Sequence, residues 1–330
     1  MRSSPAKRTL YPMLSTRTFP AQTDHAHPPP GPIVEVTGIE KRYGATTVLH
    51  DVSFSVRRGE LFGLLGTNGA GKTTMAEILQ GLRRADAGSA RVVGLDPTTA
   101  GDRLRRRIGT QLQEAALPHR LRVGEALGLF ASLHPAPRPL SELAAEWQLD
   151  ELWDRPFRGL SGGQRQRLFV ALALVGRPEL VFLDELTQNL DPLGRRHTWD
   201  MVRRIRDRGT TVVLVTHDVE EAERLCDHIV VLDRGRVVAE GTPASIVESL
   251  GATPTVRFTD ADLDARTLWG LPGVSTVKRH GLEISVTGTG PLLAHVGAHL
   301  VALARPALDL AVSRPSLEDC FVHLTQEITP

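Results

Sequence analysis

Between the apolar run Glu60 to Leu65 and the helix-forming stretch Lys72 to Gln80 lies Gly66-Thr67-Asn68-Gly69-Ala70-Gly71-Lys72-Thr73. It fits the phosphate-loop (P-loop) pattern G-x-x-x-x-G-K-[S/T], and no other feature constrains the fold as much. Such a loop requires a strand that delivers it to the N-terminus of a helix, so the chain must build a sheet flanked by helices. The first-turn N–H groups of that helix have no helical partner, and glycine lets a phosphate approach them closely. Lys72 is placed to contact the outer phosphates and Thr73 to offer a hydroxyl to Mg²⁺. Gly66, Asn68, Gly69, Gly71 and Thr74 complete this set of cofactor-binding candidates. The plain alternative is a glycine-rich turn without function.

A second cradle follows at Leu160-Ser161-Gly162-Gly163-Gln164, ahead of the apolar run Leu168 to Val175. Ser161 can serve as helix N-cap or phosphate donor, and Gly163 and Gln164 join it as binding candidates. Two such cradles in one chain point to ATP held between two surfaces. Leu180 to Glu185 is an apolar strand ending in two carboxylates. Asp184 can hold Mg²⁺ through water and Glu185 can polarise an attacking water, although a solvated acid pair at a strand end looks the same in isolation. Thr211 to Asp218 repeats the design with His217 at its end, positioned to hydrogen-bond a γ-phosphate. A lone histidine after a strand is more often structural, and only the company of the other motifs promotes this one.

Composition narrows the classes. The 330 residues allow one large domain and a small one, with hydrophobic and charged fractions of 41% and 23% ordinary for a soluble globular protein. A net charge of +1 without a basic, aromatic-interleaved stripe gives no reason to invoke nucleic acid. The run Leu168 to Val175 is far short of the roughly 20 residues of a membrane span, and no signal peptide is apparent. Cys226 and Cys320, far apart and without metal spacing, read as small buried apolar groups in a reducing compartment. Lysine occurs only at Lys7, Lys41, Lys72 and Lys278, and in this arginine-biased chain the P-loop still carries one. A compact ammonium fits between phosphates where a planar guanidinium would not.

Residues 1–32, rich in Pro, Ser, Thr and Arg, read as a disordered tail. Strands are expected over Ile33 to Ile39, Leu49 to Val56, Ala90 to Val93 and Ile108 to Leu112, and a helical block from Ala115 to Val175. Leu180 to Leu183 and Thr211 to Val215 suit a sheet covered on both faces, with a helix at Gly194 to Arg206 between them. Ile229 to Leu232 and Val237 to Ala239 flank an expected hairpin turn, and Thr242 to Leu250 reads as a closing helix. Beyond residue 251 alternation restarts, with strands expected at Thr255 to Phe258, Val274 to Lys278, Leu282 to Val286 and Leu308 to Val312. Helices at Leu292 to Ala304 and Leu317 to Thr325 complete a small α+β unit. On the first of these, His295 and His299 stand at i and i+4; a partly exposed helix face is preferred to a metal pair.

The order of these motifs resembles the ATP-binding cassette (ABC) ATPases over approximately Ile33 to Leu250. The resemblance implies an α/β P-loop NTPase fold with a RecA-like core, an antiparallel β subdomain and a helical signature subdomain, followed by the C-terminal α+β domain. It implies that Tyr43 stacks on adenine and that Gln113 touches Mg²⁺ and the transmembrane partner. By the same resemblance Ser161 and Gly163 bind the γ-phosphate of ATP on the opposite subunit, and Asp191 belongs to a loop crossing the dimer interface. Catalysis would rest on Glu185, His217 and Gln113, and Mg²⁺ on Thr73, Gln113 and Asp184. Two departures stand out: Leu186 where the family usually has proline, and Asn189 where a small residue is common. Neither removes a ligand.

The ending Leu317-Glu318-Asp319-Cys320-Phe321, with Leu324-Thr325, resembles the "LEDVF…LT" of the drug-resistance exporter subgroup. This implies an ATP- and Mg²⁺-dependent ATPase subunit, homodimeric and peripheral at the cytoplasmic face of the cell membrane. It would energise export of a drug-like, lipid or polysaccharide substrate through a separate ABC-2 type permease. A soluble regulatory ABC ATPase is the alternative. Ribosomal members usually carry two cassettes, and DNA-repair members insert a long coiled coil for which the interval from Lys72 to Ser161 is too short.

Overall fold

Continuous apolar runs form the centre of the molecule. The computed structural model describes residues 31–111, 116–188, 190–249, 253–313 and 316–326. Strands β1 (Val34–Tyr43), β2 (Thr46–Val56) and β4 (Ala87–Val92) make an antiparallel sheet in the order β2-β1-β4. Strands β3 (Leu61–Gly66), β5 (Ile108–Gln111), β6 (Leu180–Asp184), β7 (Thr211–Thr216), β8 (His228–Asp233) and β9 (Arg236–Gly241) form the central sheet. Its order is β5-β6-β7-β3-β8-β9, parallel except for the edge strand β9.

Every residue of β3, β6 and β7 is buried, as expected of parallel strands covered on both faces. Side chains alternate between two cores. Phe62, Leu64, Phe182 and Val213 join the core shared with the antiparallel sheet and the P-loop helix Lys72–Leu79. Leu61, Leu65, Val181 and Leu183 face the other core, filled by the helices Val123–Ala131, Leu140–Glu146 and Gly162–Leu174. The α/β class read from the sequence is the one observed.

A four-stranded antiparallel sheet follows, in the order β11-β12-β10-β13, from β10 (Thr255–Thr259), β11 (Val274–His280), β12 (Glu283–Gly288) and β13 (Ala311–Ser313). With the helix Leu292–Ala302 it encloses a separate core around Val256, Phe258, Ile284 and Val296. The helix Leu317–Gln326 returns to the main body, where Leu317 is buried among the central core residues and Phe321 packs against them.

Three local differences from the sequence reading have clear causes. The last strand begins at Ala311 rather than Leu308, because Asp309 turns its carboxylate to accept from Thr259 N–H and Oγ1 while Leu308 stands fully exposed. Within the helical block expected from Ala115 to Val175, the helix Leu140–Glu146 ends just before Gln148, which adopts a left-handed φ of 53°. Helix Val219–Leu225 carries no sequence expectation; its apolar stripe of Val219, Ala222 and Leu225 is masked by three glutamates. Residues 1–30 lie outside the described residues.

Candidate functional site

Strand β3 drives the P-loop directly onto its helix. Gly71 caps that helix at φ 102°, a left-handed conformation in which a Cβ would also come within 2.7 Å of Leu49 Cδ2 and 3.1 Å of the Val48 carbonyl. At Gly66 a Cβ would strike the Leu232 carbonyl. The loop's glycines at 66 and 71 are therefore required by the chain's own packing. Lys72 is buried, and its ammonium donates to the carbonyls of Gly66 at 2.8 Å and Thr67 at 3.0 Å. Burial lowers the Lys72 pKa, against the pull of Glu185 and Asp184.

The ends of β6 and β7 lie beside this loop. Parallel pairing sets Asp184 opposite Val215, and Glu185 N–H donates to the Val215 carbonyl at 2.9 Å. Asp184 is buried and its pKa is raised to about 6, first by burial, then by the neighbouring Glu185 carboxylate, with Lys72 opposing. Gln111, at the end of β5, accepts the Asp184 N–H through Oε1 at 3.1 Å. Glu185 holds a left-handed φ of 48°, unusual for a non-glycine residue, and its Oε1 lies 3.1 Å from His217 Nδ1. The acid is nearly covered, whereas the histidine ring is 42% exposed. Val48, Asn68, Gly69, Gly71, Lys72, Thr73, Thr74, Glu185 and Gln188 line one cleft of about 490 Å³.

The second cradle opens elsewhere. Ser161 Oγ accepts the Gln164 N–H, and Gln164 Oε1 accepts the Ser161 N–H, so the helix Gly162–Leu174 starts with a closed capping box. A Cβ at Gly162 or Gly163 would meet nothing within 4 Å. Ser161, Gly163 and Gln164 line a cleft of about 470 Å³ with Arg167, Gly194 and His197, and none of its lining residues is shared with the P-loop cleft. Asp191 N-caps the helix Pro192–Asp207 by accepting from Gly194 N–H at 2.7 Å.

Tyr43, at the end of β1, is 40% exposed and keeps the Arg83 guanidinium 5.0 Å and the Lys41 ammonium 5.7 Å from its ring centre. Gln113 and Asn189 lie outside the described residues. Sequence reasoning missed Val48 and Gln188, which strand pairing and the turn after Glu185 bring to the cleft, and Gln111, which holds the Asp184 backbone from the neighbouring strand. It also missed Arg83, whose place over Tyr43 is fixed by an ion pair with Glu77 on the P-loop helix. His295 Nδ1 lies 2.9 Å from the Pro272 carbonyl, which accepts its N–H, and no group of three or more potential metal-binding His, Cys, Asp or Glu residues occurs among the described residues.

Comparison with known proteins gives three concordant findings. The family described as ABC transporter matches residues 49–188. The chain is 37% identical over 310 residues to the Nod factor export ATP-binding protein I of Ralstonia nicotianae, covering 90% of this chain and 97% of that protein. It is 40% identical over 301 residues to the daunorubicin resistance ATP-binding protein DrrA3 of Streptomyces coeruleorubidus, covering 88% and 95%. Among solved structures, the ATP-binding subunit of an ABC transporter superposes with a TM-score of 0.61 at 31% identity, over 66% of this chain and 93% of that one.

Proposed function

Because the chain belongs to the ABC transporter ATP-binding proteins, we propose that its P-loop cleft and its Ser161 cradle are halves of two ATP sites, each completed by a second copy. The protein binds and hydrolyses ATP as the energising subunit of an export system whose membrane permease is a separate chain. One observation supports the composite reading above the others: the two phosphate cradles of a single chain line separate clefts. In this reading a phosphate on Lys72 meets the Ser161 cradle of the second copy.

In this reading Lys72 and the P-loop N–H groups hold the triphosphate, with Gly66, Asn68, Gly69, Gly71, Thr73 and Thr74 around it. Glu185 takes the proton from the attacking water, and His217, oriented through Nδ1 by Glu185, reaches toward the γ-phosphate. Tyr43 supplies the face for adenine, and Gln113 and Asp191 carry the family's roles at the permease and dimer contacts. Thr73 and Asp184 offer the hard oxygen donors that suit Mg²⁺, and Asp184 is a buried carboxyl beside a second acid, Glu185, a setting that a cation would relieve. When bound, the cation neutralises phosphate charge.

The partners follow from the same resemblance: a homodimer of this chain and an ABC-2 type permease, at the cytoplasmic face of the cell membrane. No helix among the described residues is long and apolar enough to cross a bilayer. Of the division at residues 33–250 and 251–330, the separate core of the last sheet supports the second part up to its last strand, the helix Leu317–Gln326 packing instead on the first part. The two relatives, at similar identity, are named for Nod factor export and daunorubicin resistance. Cargo is accordingly assigned to the permease, within the drug-like, lipid and polysaccharide classes. Their export and resistance names favour the transporter over the soluble regulator.

The test is Glu185→Gln in the full chain. ATP binding is retained, hydrolysis slows by at least roughly tenfold, and a stable ATP-bound dimer accumulates on size-exclusion chromatography. Near-normal turnover would reject Glu185 as the base.

A further inference from the structure

Glu221 is the most deeply buried carboxylate among the described residues, with no exposed surface at all. It stands on helix Val219–Leu225, whose N-cap, Asp218, follows His217 directly. Its Oε1 accepts from Thr187 Oγ1 at 2.8 Å and from the Trp199 indole N–H at 3.3 Å. Its Oε2 is buried and makes no hydrogen bond among the described residues. Burial raises its pKa, with the Thr216 and Thr187 hydroxyls pulling the other way. An acid in this position is a poor way to stabilise a fold, since a well-packed apolar side chain would avoid the desolvation.

What the acid does is join three segments. Thr187 lies two residues beyond Glu185, in the turn where Gln188 N–H bonds the Glu185 carbonyl and Leu190 N–H bonds the Thr187 carbonyl. Trp199 belongs to the helix capped by Asp191, and Arg195 of that helix pairs with Asp218 at 3.1 Å. Asp218 accepts from Glu221 N–H, and its own N–H donates to Thr216 Oγ1. The turn needs such an anchor because Glu185 sits in a left-handed conformation that persists only when its surroundings hold it.

We propose that Glu221 is a positioning residue for ATP hydrolysis, holding the Glu185 turn through Thr187 and the His217 loop through its own helix so that the two side chains stay in contact. The Asp191 helix, joined through Trp199, is thereby in register with both. A displacement at the Asp191 loop reaches Glu185 through one shared carboxyl rather than through the backbone alone. The inference rests on the assignment of Glu185 as the base.

The experiment compares Thr187→Val, Thr187→Ser, Glu221→Gln and Glu221→Ala in the full chain, with Glu185→Gln alongside. Steady-state ATPase is normalised to the fraction of protein that binds ATP. Thr187→Val, which keeps the side-chain shape and removes the donor, and Glu221→Ala lower kcat by about tenfold or more while KM changes less than about twofold. Thr187→Ser and Glu221→Gln, which retain the hydrogen-bonding groups, keep kcat within about threefold of the parent. The double variant Thr187→Val/Glu221→Ala loses no more than the worse single one, because both break the same link. The proposal is overturned if Thr187→Val turns over normally, if Thr187→Ser fails as badly, or if normalisation to binding-competent protein restores kcat. Normal turnover in Glu185→Gln would remove the base assignment, whereas its failure beside a normal Thr187→Val removes only the role of Glu221.

Discussion

Two helix N-termini in this protein carry glycines and a hydroxyl, yet they differ in what holds them. Around the P-loop, a Cβ at Gly66 or Gly71 would strike the molecule's own backbone or Leu49, and Lys72 already bonds two loop carbonyls. At the other cradle, Gly162 and Gly163 face open space, and only the Ser161–Gln164 capping box is internal. The first set of glycines is demanded by intramolecular packing. The second is not, and this favours a demand from outside the chain. If the proposed ATP sites hold, the P-loop combines structural and chemical needs, whereas the Ser161 cradle carries a chemical one with little structural obligation.

Substitutions at equivalent glycines should separate the two. Gly71→Ala forces a side chain into a left-handed conformation against Leu49, so a loss of about 2–4 kcal/mol in stability and of ATP binding is expected together, read by thermal denaturation and nucleotide titration. For Gly163→Ala the stability change should lie between zero and a gain of about 1 kcal/mol, because alanine suits a helix better than glycine. Monomer ATP binding persists, yet turnover falls at least roughly tenfold. A Gly163→Ala protein that hydrolyses normally would break the comparison.

Electrostatic cost also marks the P-loop half, which carries the buried carboxyl of Asp184 beside Glu185. Burial and the Glu185 carboxylate push the Asp184 pKa up from the usual 3.8 to about 6 in the folded protein. Between those values the folded state holds a proton that the unfolded chain has released, so stability falls as pH rises through this window and the cost is complete above it. In chelator, Asp184→Asn should be more stable than the parent at pH 7.5 by on the order of 2 kcal/mol, the advantage vanishing near pH 4. Equal stability at pH 7.5 would show that the carboxyl is not under strain. The smallest effect belongs to Ser161→Ala, where loss of the cap costs about 1 kcal/mol in denaturation experiments. Its damage to turnover should exceed its damage to monomer ATP binding.

The parts of the site read most easily from sequence were those fixed within a dozen residues. Gly66 to Thr73 and Ser161 to Gln164 each announce a helix start by spacing alone, and both helices are present. The contact between Glu185 and His217 was not legible, because 32 residues separate them and it depends on the pairing of Asp184 with Val215 across β6 and β7. Glu221 was hidden for a similar reason. Its local sequence, Glu220-Glu221-Ala222-Glu223, carries no mark that one acid differs from the others, and only the packing of three segments buries the second of them.

Motif order and local spacing alone identify an α/β nucleotide-binding protein of the ABC type and the order in which its chemistry appears. Backbone N–H groups at a helix start are set by local spacing, so no distant residue was needed to read them. Tertiary structure decided which side chains meet: Glu185 with His217, Thr187 with Glu221, Arg83 with Tyr43. It also decided that the two phosphate cradles open onto separate clefts. These relations depend on strand register and helix packing between distant segments, which local spacing does not encode.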